Sequence, residues 1–167
     1  VPEPVGIAVR VSVAPTVGVV VAEPVATAVA VSVPWAGAAA PQLVYPDGRV
    51  QSSCRGFPTP LTVLLDMLDW SRRFPHLRAL REYRLDAWTH DSERQVDQPM
   101  ASALLLRGTA LEQTGLMDQG CPIFFNDVDL CYRLREAGWE IWFTPTAQMI
   151  HHSGSSIAQV APKRRLE

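Results

Sequence analysis

Residues Phe124 to His152 read FFNDVDLCYRLREAGWEIWFTPTAQMIHH, and the fold follows from how this stretch is parsed. Asp127 and Asp129 stand directly after two Phe residues, where a strand or loop gives way to a new element. Leu130, Leu134 and Ala137 then recur at helical spacing, with Arg133, Arg135 and Glu136 on the remaining faces. Gly138 closes that helix, because glycine takes left-handed backbone angles at little cost. Trp139 to Phe143 alternates as a strand does, Thr144-Pro145 reads as a turn, and a second apolar run ends on His151 and His152. Carboxylates at the start of one element and imidazoles at the end of another can meet in space, as an active site or a metal site requires.

Upstream, the same parsing continues. Met100 to Leu106 reads as an apolar strand, Arg107-Gly108-Thr109 as a turn with Thr109 capping, and Ala110 to Thr114 as a short helix ended by Gly115. Trp88-Thr89-His90-Asp91 gathers one His and one Asp, a pattern that most often makes a loop contact. A short helix is expected over Leu77–Tyr83. Thr59 can cap a helix with Pro60 at its first position, and Leu61, Leu64, Leu65 and Leu68 form its apolar stripe. Such a stripe packs against its own domain or lies at a membrane surface. Pro41 to Gln51 reads as a hairpin, with Pro46 setting the turn and Gly48 supplying positive φ. The order of elements is α/β.

Before Trp35 the composition changes. Residues 1–35 are mostly Val, Ala, Pro, Gly, Ser and Thr, with prolines interrupting each alternating run, and are expected to be an irregular leader. At 167 residues the chain has room for one domain with a real core. A net charge of −2 argues against nucleic acid as a principal partner. Cys54, Cys121 and Cys131 form no CxxC pair and read as reduced thiols, suited to the cytoplasm. The longest charge-free run, Pro24 to Pro46, is too rich in Pro, Ala and Ser for a membrane-spanning helix.

From about Gly37 to Ser156 the chain resembles the C-terminal half of family 2 glycosyltransferases, and within them the rhamnosyltransferase-like proteins of bacterial cell-wall and polysaccharide assembly. The resemblance rests on PQLVYPDGRVQSSCRGFPTP, on Val96-Asp97 followed by ASALLLRGTAL, on TGLMDQGCPIFFNDVDLCYRLREAGW and on FTPTAQMIHHSGSS, in that order. It implies a partial GT-A fold, a mixed sheet with flanking helices, over residues 36–156, with a basic tail over 157–167. It implies inverting transfer of a sugar from a nucleotide-sugar donor to a lipid-linked or polysaccharide acceptor. Asp127 matches the family's base, Asp129 and Arg133 support the acceptor side, and His151 matches a ligand for Mn²⁺ or Mg²⁺. The implied setting is the cytoplasm, at the inner face of the membrane, with peripheral membrane contact.

The chain also departs from the pattern. Asn126 stands where the family has an acidic residue, and Gln98-Pro99-Met100-Ala101 replaces an aromatic, glycine-containing strand start. Residues 1–35 hold no Asp, so the donor-binding Asp-x-Asp half is expected to be missing. Asp129 also has a plain reading as a helix cap. Two alternatives stand beside the transferase: a non-catalytic remnant or binding module, and a metal-dependent hydrolase built on Asp127, Asp129, His151 and His152.

Overall fold

The structure is a computed structural model, and it describes residues 9–10, 33–68, 70–74, 76–118 and 125–152. Most of the leader, Phe124, Cys121, the serines after His152 and the basic tail lie outside the described residues. The strands are β1 (Val9–Arg10), β2 (Ala36–Val44), β3 (Cys54–Arg55), β4 (Arg94–Gln95), β5 (Gln98–Pro99), β6 (Leu105–Arg107) and β7 (Glu140–Ile150). The helices are α1 (Pro60–Met67), α2 (Trp70–Arg73), α3 (Arg78–Arg84), α4 (Gly108–Thr114) and α5 (Asn126–Glu136).

Five strands form one sheet in the order β1-β6-β2-β7-β4, and β3 pairs with β5 apart from it. β2 and β7 run parallel; β1–β6, β2–β6 and β4–β7 are antiparallel. The expected mixed sheet with flanking helices is therefore present. Ala38, Ala39 and Ala40 leave little bulk on β2, so its neighbours supply the packing volume. The core gathers Leu106, Ala110, Leu130, Leu134, Ile141 and Phe143, with Cys54 and Cys131 buried among them. Burial in this apolar interior pushes both thiols up to about 12. Neither is in a disulfide.

Several local expectations hold. The Pro41–Gln51 hairpin closes through the Gly48 amide donating to the Tyr45 carbonyl at 2.9 Å, with Gly48 at φ 84°. Its return arm bridges at Val50, opposite Val44, with the Tyr45 amide donating to the Arg49 carbonyl and the Gln51 amide to the Leu43 carbonyl, each at 2.8 Å. Thr59 caps α1 in a reciprocal arrangement: the Thr62 amide donates to Thr59 Oγ1 at 3.2 Å, and the Thr59 amide donates to Thr62 Oγ1 at 2.8 Å. The helix expected at Leu77–Tyr83 lies one residue later, at Arg78–Arg84.

Others are corrected. The strand expected over Met100–Leu106 is confined to Leu105–Arg107, because Ala101 and Ser102 turn the chain away from the β3–β5 pair. Thr109 is no cap: α4 begins at Gly108 after the extended Arg107. Pro145 does not end a strand either. β7 continues through it as a bulge, with Pro41 opposite Thr144 and Gln42 opposite Gln148, so Pro145, Thr146 and Ala147 have no opposite residue on β2. Proline lacks the amide a regular ladder needs, and a bulge accommodates that loss.

Candidate active site

α5 and β7 form a helix–turn–strand unit that turns back at Gly138, φ 84°. The first turn of α5 therefore lies toward the carboxyl ends of the parallel strands β7 and β2. In α/β sheets this is the end where ligands are bound. Leu130, Cys131 and Leu134 bury one face of α5, holding the helix on the core. Phe125 enters it with left-handed angles (φ 65°, ψ 0°) and gives no side-chain cap.

Asn126 Oδ1 accepts from the Asp127 amide at 2.8 Å, and Asp127 Oδ1 accepts from the Val128 amide at 2.9 Å. Asp127 is half-buried, and its charge is felt at the buried Cys131 thiol. Asp97 acts on the same thiol and pairs with Arg135 at 2.7 Å. Asp97 was not expected as a participant; its position on the segment between β4 and β5 is a tertiary fact without a local signal.

Asp129 is not the cap that its place near the helix start suggested. Its Oδ2 accepts from Arg133 Nη2 at 2.6 Å and from Nε at 3.0 Å, a side-on pair one turn apart. Arg133 also donates to the carbonyls of Thr114 and of Leu116, the latter at 2.9 Å. One guanidinium thus ties the end of α4 to the head of α5. A cavity of about 420 Å³ opens beside this brace, lined by Phe57, Pro58, Phe125, Val128, Asp129 and Tyr132, with Asp118 at its edge. Phe57 and Tyr132 meet edge to face with ring centres 5.7 Å apart. Asp129, and not Asp127, lines this cavity.

His151 follows β7 directly. Its Nδ1 lies 2.9 Å from Gln51 Oε1, while Gln51 Nε2 donates to the His151 carbonyl at 2.7 Å. The amide of Gln51 is thereby oriented with its oxygen toward the ring, so Nδ1 carries the proton and Nε2 keeps its lone pair. Burial, and then the neighbouring His152, lowers the His151 pKa and favours this neutral ring. His152 is exposed. His151 does not line the cavity beside Asp129, and its hydrogen-bond partners are not those of Asp127. Among the described residues no three of His, Cys, Asp or Glu gather closely enough to hold a metal ion.

The Trp88–Asp91 cluster is a loop contact, as its sparse ligands suggested. His90 is buried at φ 60°, stacked on Trp88 at 4.1 Å and edge-on to Phe143. Its Nε2 accepts from the Cys54 amide at 3.3 Å, so Nδ1 donates to the Trp88 carbonyl. Gln42 and Gln148 add a chain the sequence did not disclose: Gln148 Nε2 donates to Gln42 Oε1 at 2.7 Å, and Gln42 Nε2 to the His90 carbonyl at 2.6 Å. No described helix is long and apolar enough to cross a membrane.

No family model matches the chain, and no solved structure matches it. The chain is 36% identical over 126 residues to the N-acetylglucosaminyl-diphospho-decaprenol L-rhamnosyltransferases of two strains of Mycobacterium tuberculosis. That alignment covers 74% of this chain and 39% of each relative, so the chain spans about two fifths of the length of the curated relatives it matches. Over that span the chain is similar to a glycosyltransferase of the rhamnosyltransferase kind, which is the resemblance its motifs carry.

Proposed function

We propose that this chain forms the acceptor-side, base-carrying part of an inverting family 2 glycosyltransferase with the GT-A fold. The similarity to two rhamnosyltransferases over 126 residues carries the proposal. The reaction is transfer of a sugar from a nucleotide-sugar donor to a lipid-linked acceptor in cell-wall or surface-polysaccharide assembly, at the cytoplasmic face of the membrane. Asp127 is the proposed base. Inversion by one in-line displacement needs a carboxylate within hydrogen-bond reach of the acceptor hydroxyl, to take its proton as the new glycosidic bond forms. Its place in the first turn of α5, half-buried beside the cavity that Asp129 and Val128 line, suits that task. Asp129 and Arg133 support the acceptor side by fixing the wall of the adjoining cavity.

The chemistry of His151 fits a metal ligand. A histidine that donates Nδ1–H to a fixed oxygen presents Nε2 as a ligand with its ring held in place. Mn²⁺ or Mg²⁺, when bound, would neutralise charge on the departing nucleoside diphosphate. His151 would provide one donor atom, and hard cations take several oxygen ligands besides.

The test is sugar transfer to a lipid-linked acceptor from a panel of nucleotide sugars, with Mn²⁺ or Mg²⁺ supplied, by a protein that joins this chain to a donor-binding half. Transfer that falls by about 10²–10⁴-fold in Asp127→Asn supports the proposal. Transfer untouched by Asp127→Asn contradicts it, and so does steady turnover by the 167-residue chain alone, since the donor site would then lie within it.

A further inference from the structure

The apolar stripe of α1 is turned outward. Thr62 and Leu65 face the interior, whereas Leu61, Leu64, Met67, Leu68, Trp70 and Phe74 are each between 46% and 80% exposed. Leu61, Leu64 and Leu68 follow one another at i, i+3 and i+7, so they share a face. Trp70 and Phe74 continue it, their rings in edge contact at 5.8 Å. A helix that buries Thr62 and Leu65 while leaving Leu61, Leu64 and Met67 in water has a face in need of a partner.

The charge around this face names the partner. Leu61 to Arg84 holds five arginines (Arg72, Arg73, Arg78, Arg81, Arg84) against three carboxylates (Asp66, Asp69, Glu82), a net of +2 in a chain whose net charge is −2. On α3, which packs against α1, opens a cleft of about 570 Å³ lined by His76, Arg78, Arg81 and Arg94, with Trp88 as a wall. Arg94 lies 4.9 Å over the Trp88 ring. Glu82 also lines the cleft and pairs with Arg78 at 2.7 Å, leaving Arg81 and Arg94 as a positive surplus.

We infer that α1, α2 and the start of α3 form a docking surface for an anionic lipid bilayer. The leucines, Trp70 and Phe74 enter the headgroup boundary, and the arginines receive lipid phosphates. Leucine and aromatic side chains beside basic residues are the composition that holds a helix in the plane of a membrane interface. Each arginine near an anionic leaflet adds attraction that salt screens. The surface also sits well for its use. Phe57 and Pro58, which line the cavity beside Asp129, lead directly into the Thr59 cap of α1. The inference rests on the proposed reaction at a lipid-linked acceptor, since such an acceptor must be met at a bilayer.

The experiment is co-sedimentation of the 167-residue chain with vesicles of phosphatidylcholine mixed with phosphatidylglycerol, against phosphatidylcholine alone. The chain partitions onto the anionic vesicles, and added salt weakens it. Leu64→Gln with Leu68→Gln lowers partitioning about tenfold or more. Arg78→Ala with Arg81→Ala lowers it by about tenfold and flattens the salt dependence. Both pairs are exposed, and unchanged circular dichroism confirms that the variants fold. No binding to anionic vesicles, or equal binding by the variants, overturns the inference. So does a self-associated form that the leucine variant dissociates, because a second copy would then cover the face. The vesicles contain neither donor nor acceptor, so this failure is separate from a failure of transfer, which is read on a detergent-dispersed acceptor.

Discussion

At the residue scale, the two acidic side chains at the head of α5 have different partners and different work. Asp127 is held by the first-turn amide of Val128, and Asp129 by Arg133. Removing the guanidinium should loosen the join between α4 and α5. Arg133→Ala is expected to cost about 1–3 kcal/mol, measured by denaturant unfolding, since carbonyl and carboxylate partners are stranded together. Half-exposure places the effect toward the lower end. The histidines give a pH prediction. His90 is lowered from 6.5 first by burial, and His151 likewise. The unfolded chain therefore binds protons that the folded chain does not. Stability is full above about 6.5 and falls as pH drops from there toward the folded pKa values. The thermal midpoint should fall between neutral pH and pH 5, and fall less in His90→Asn, asparagine being tolerant of positive φ. Asp127 and His151 were legible as candidates because each ends or begins a patterned element. The Asp129–Arg133 pair was present as an i, i+4 spacing, but a helix-start carboxylate signals a cap equally well. Gln51 and His151 stand 100 positions apart, so nothing local announces their contact.

At the element scale, sequence read well wherever one residue's backbone chemistry decides the outcome. Gly48, Gly115 and Gly138 all take positive φ at the predicted ends. Thr59 and Pro60 start α1, and Thr59→Ala should lower stability by about 1 kcal/mol, or roughly 2–4 °C in the melting temperature. The errors came where pairing across the sheet outweighs local pattern. Met100 to Leu106 is apolar enough for a strand, yet only Leu105–Arg107 finds partners in β1 and β2. Pro145 signals a turn locally, but the parallel ladder with β2 resumes beyond it. Gly37 shows the same limit. A Cβ there would lie 2.6 Å from Trp139 Cβ, so β2 and the turn before β7 approach closely through that glycine. Gly37→Ala should destabilise by about 1–3 kcal/mol in urea unfolding, because Trp139 must shift to make room.

At the scale of the whole molecule, α5 runs back along β7 from Gly138, while β2 and β7 continue in parallel toward Val44 and Ile150. The α/β class was legible from the alternation of periods. The strand order was not, because β1, β6, β2, β7 and β4 are joined across long sequence separations. We propose that Asp127, not the cavity-lining Asp129, takes the acceptor's proton. The direct measurement is the rate of sugar transfer to a lipid-linked acceptor, side by side in Asp127→Asn and Asp129→Asn, in a protein that joins this chain to a donor-binding half. Transfer is expected to fall about 10²–10⁴-fold in Asp127→Asn. In Asp129→Asn it is expected to fall within about tenfold, with lower thermal stability as Arg133 loses its charged partner. Near-normal transfer by Asp127→Asn, with transfer abolished in Asp129→Asn, would contradict it.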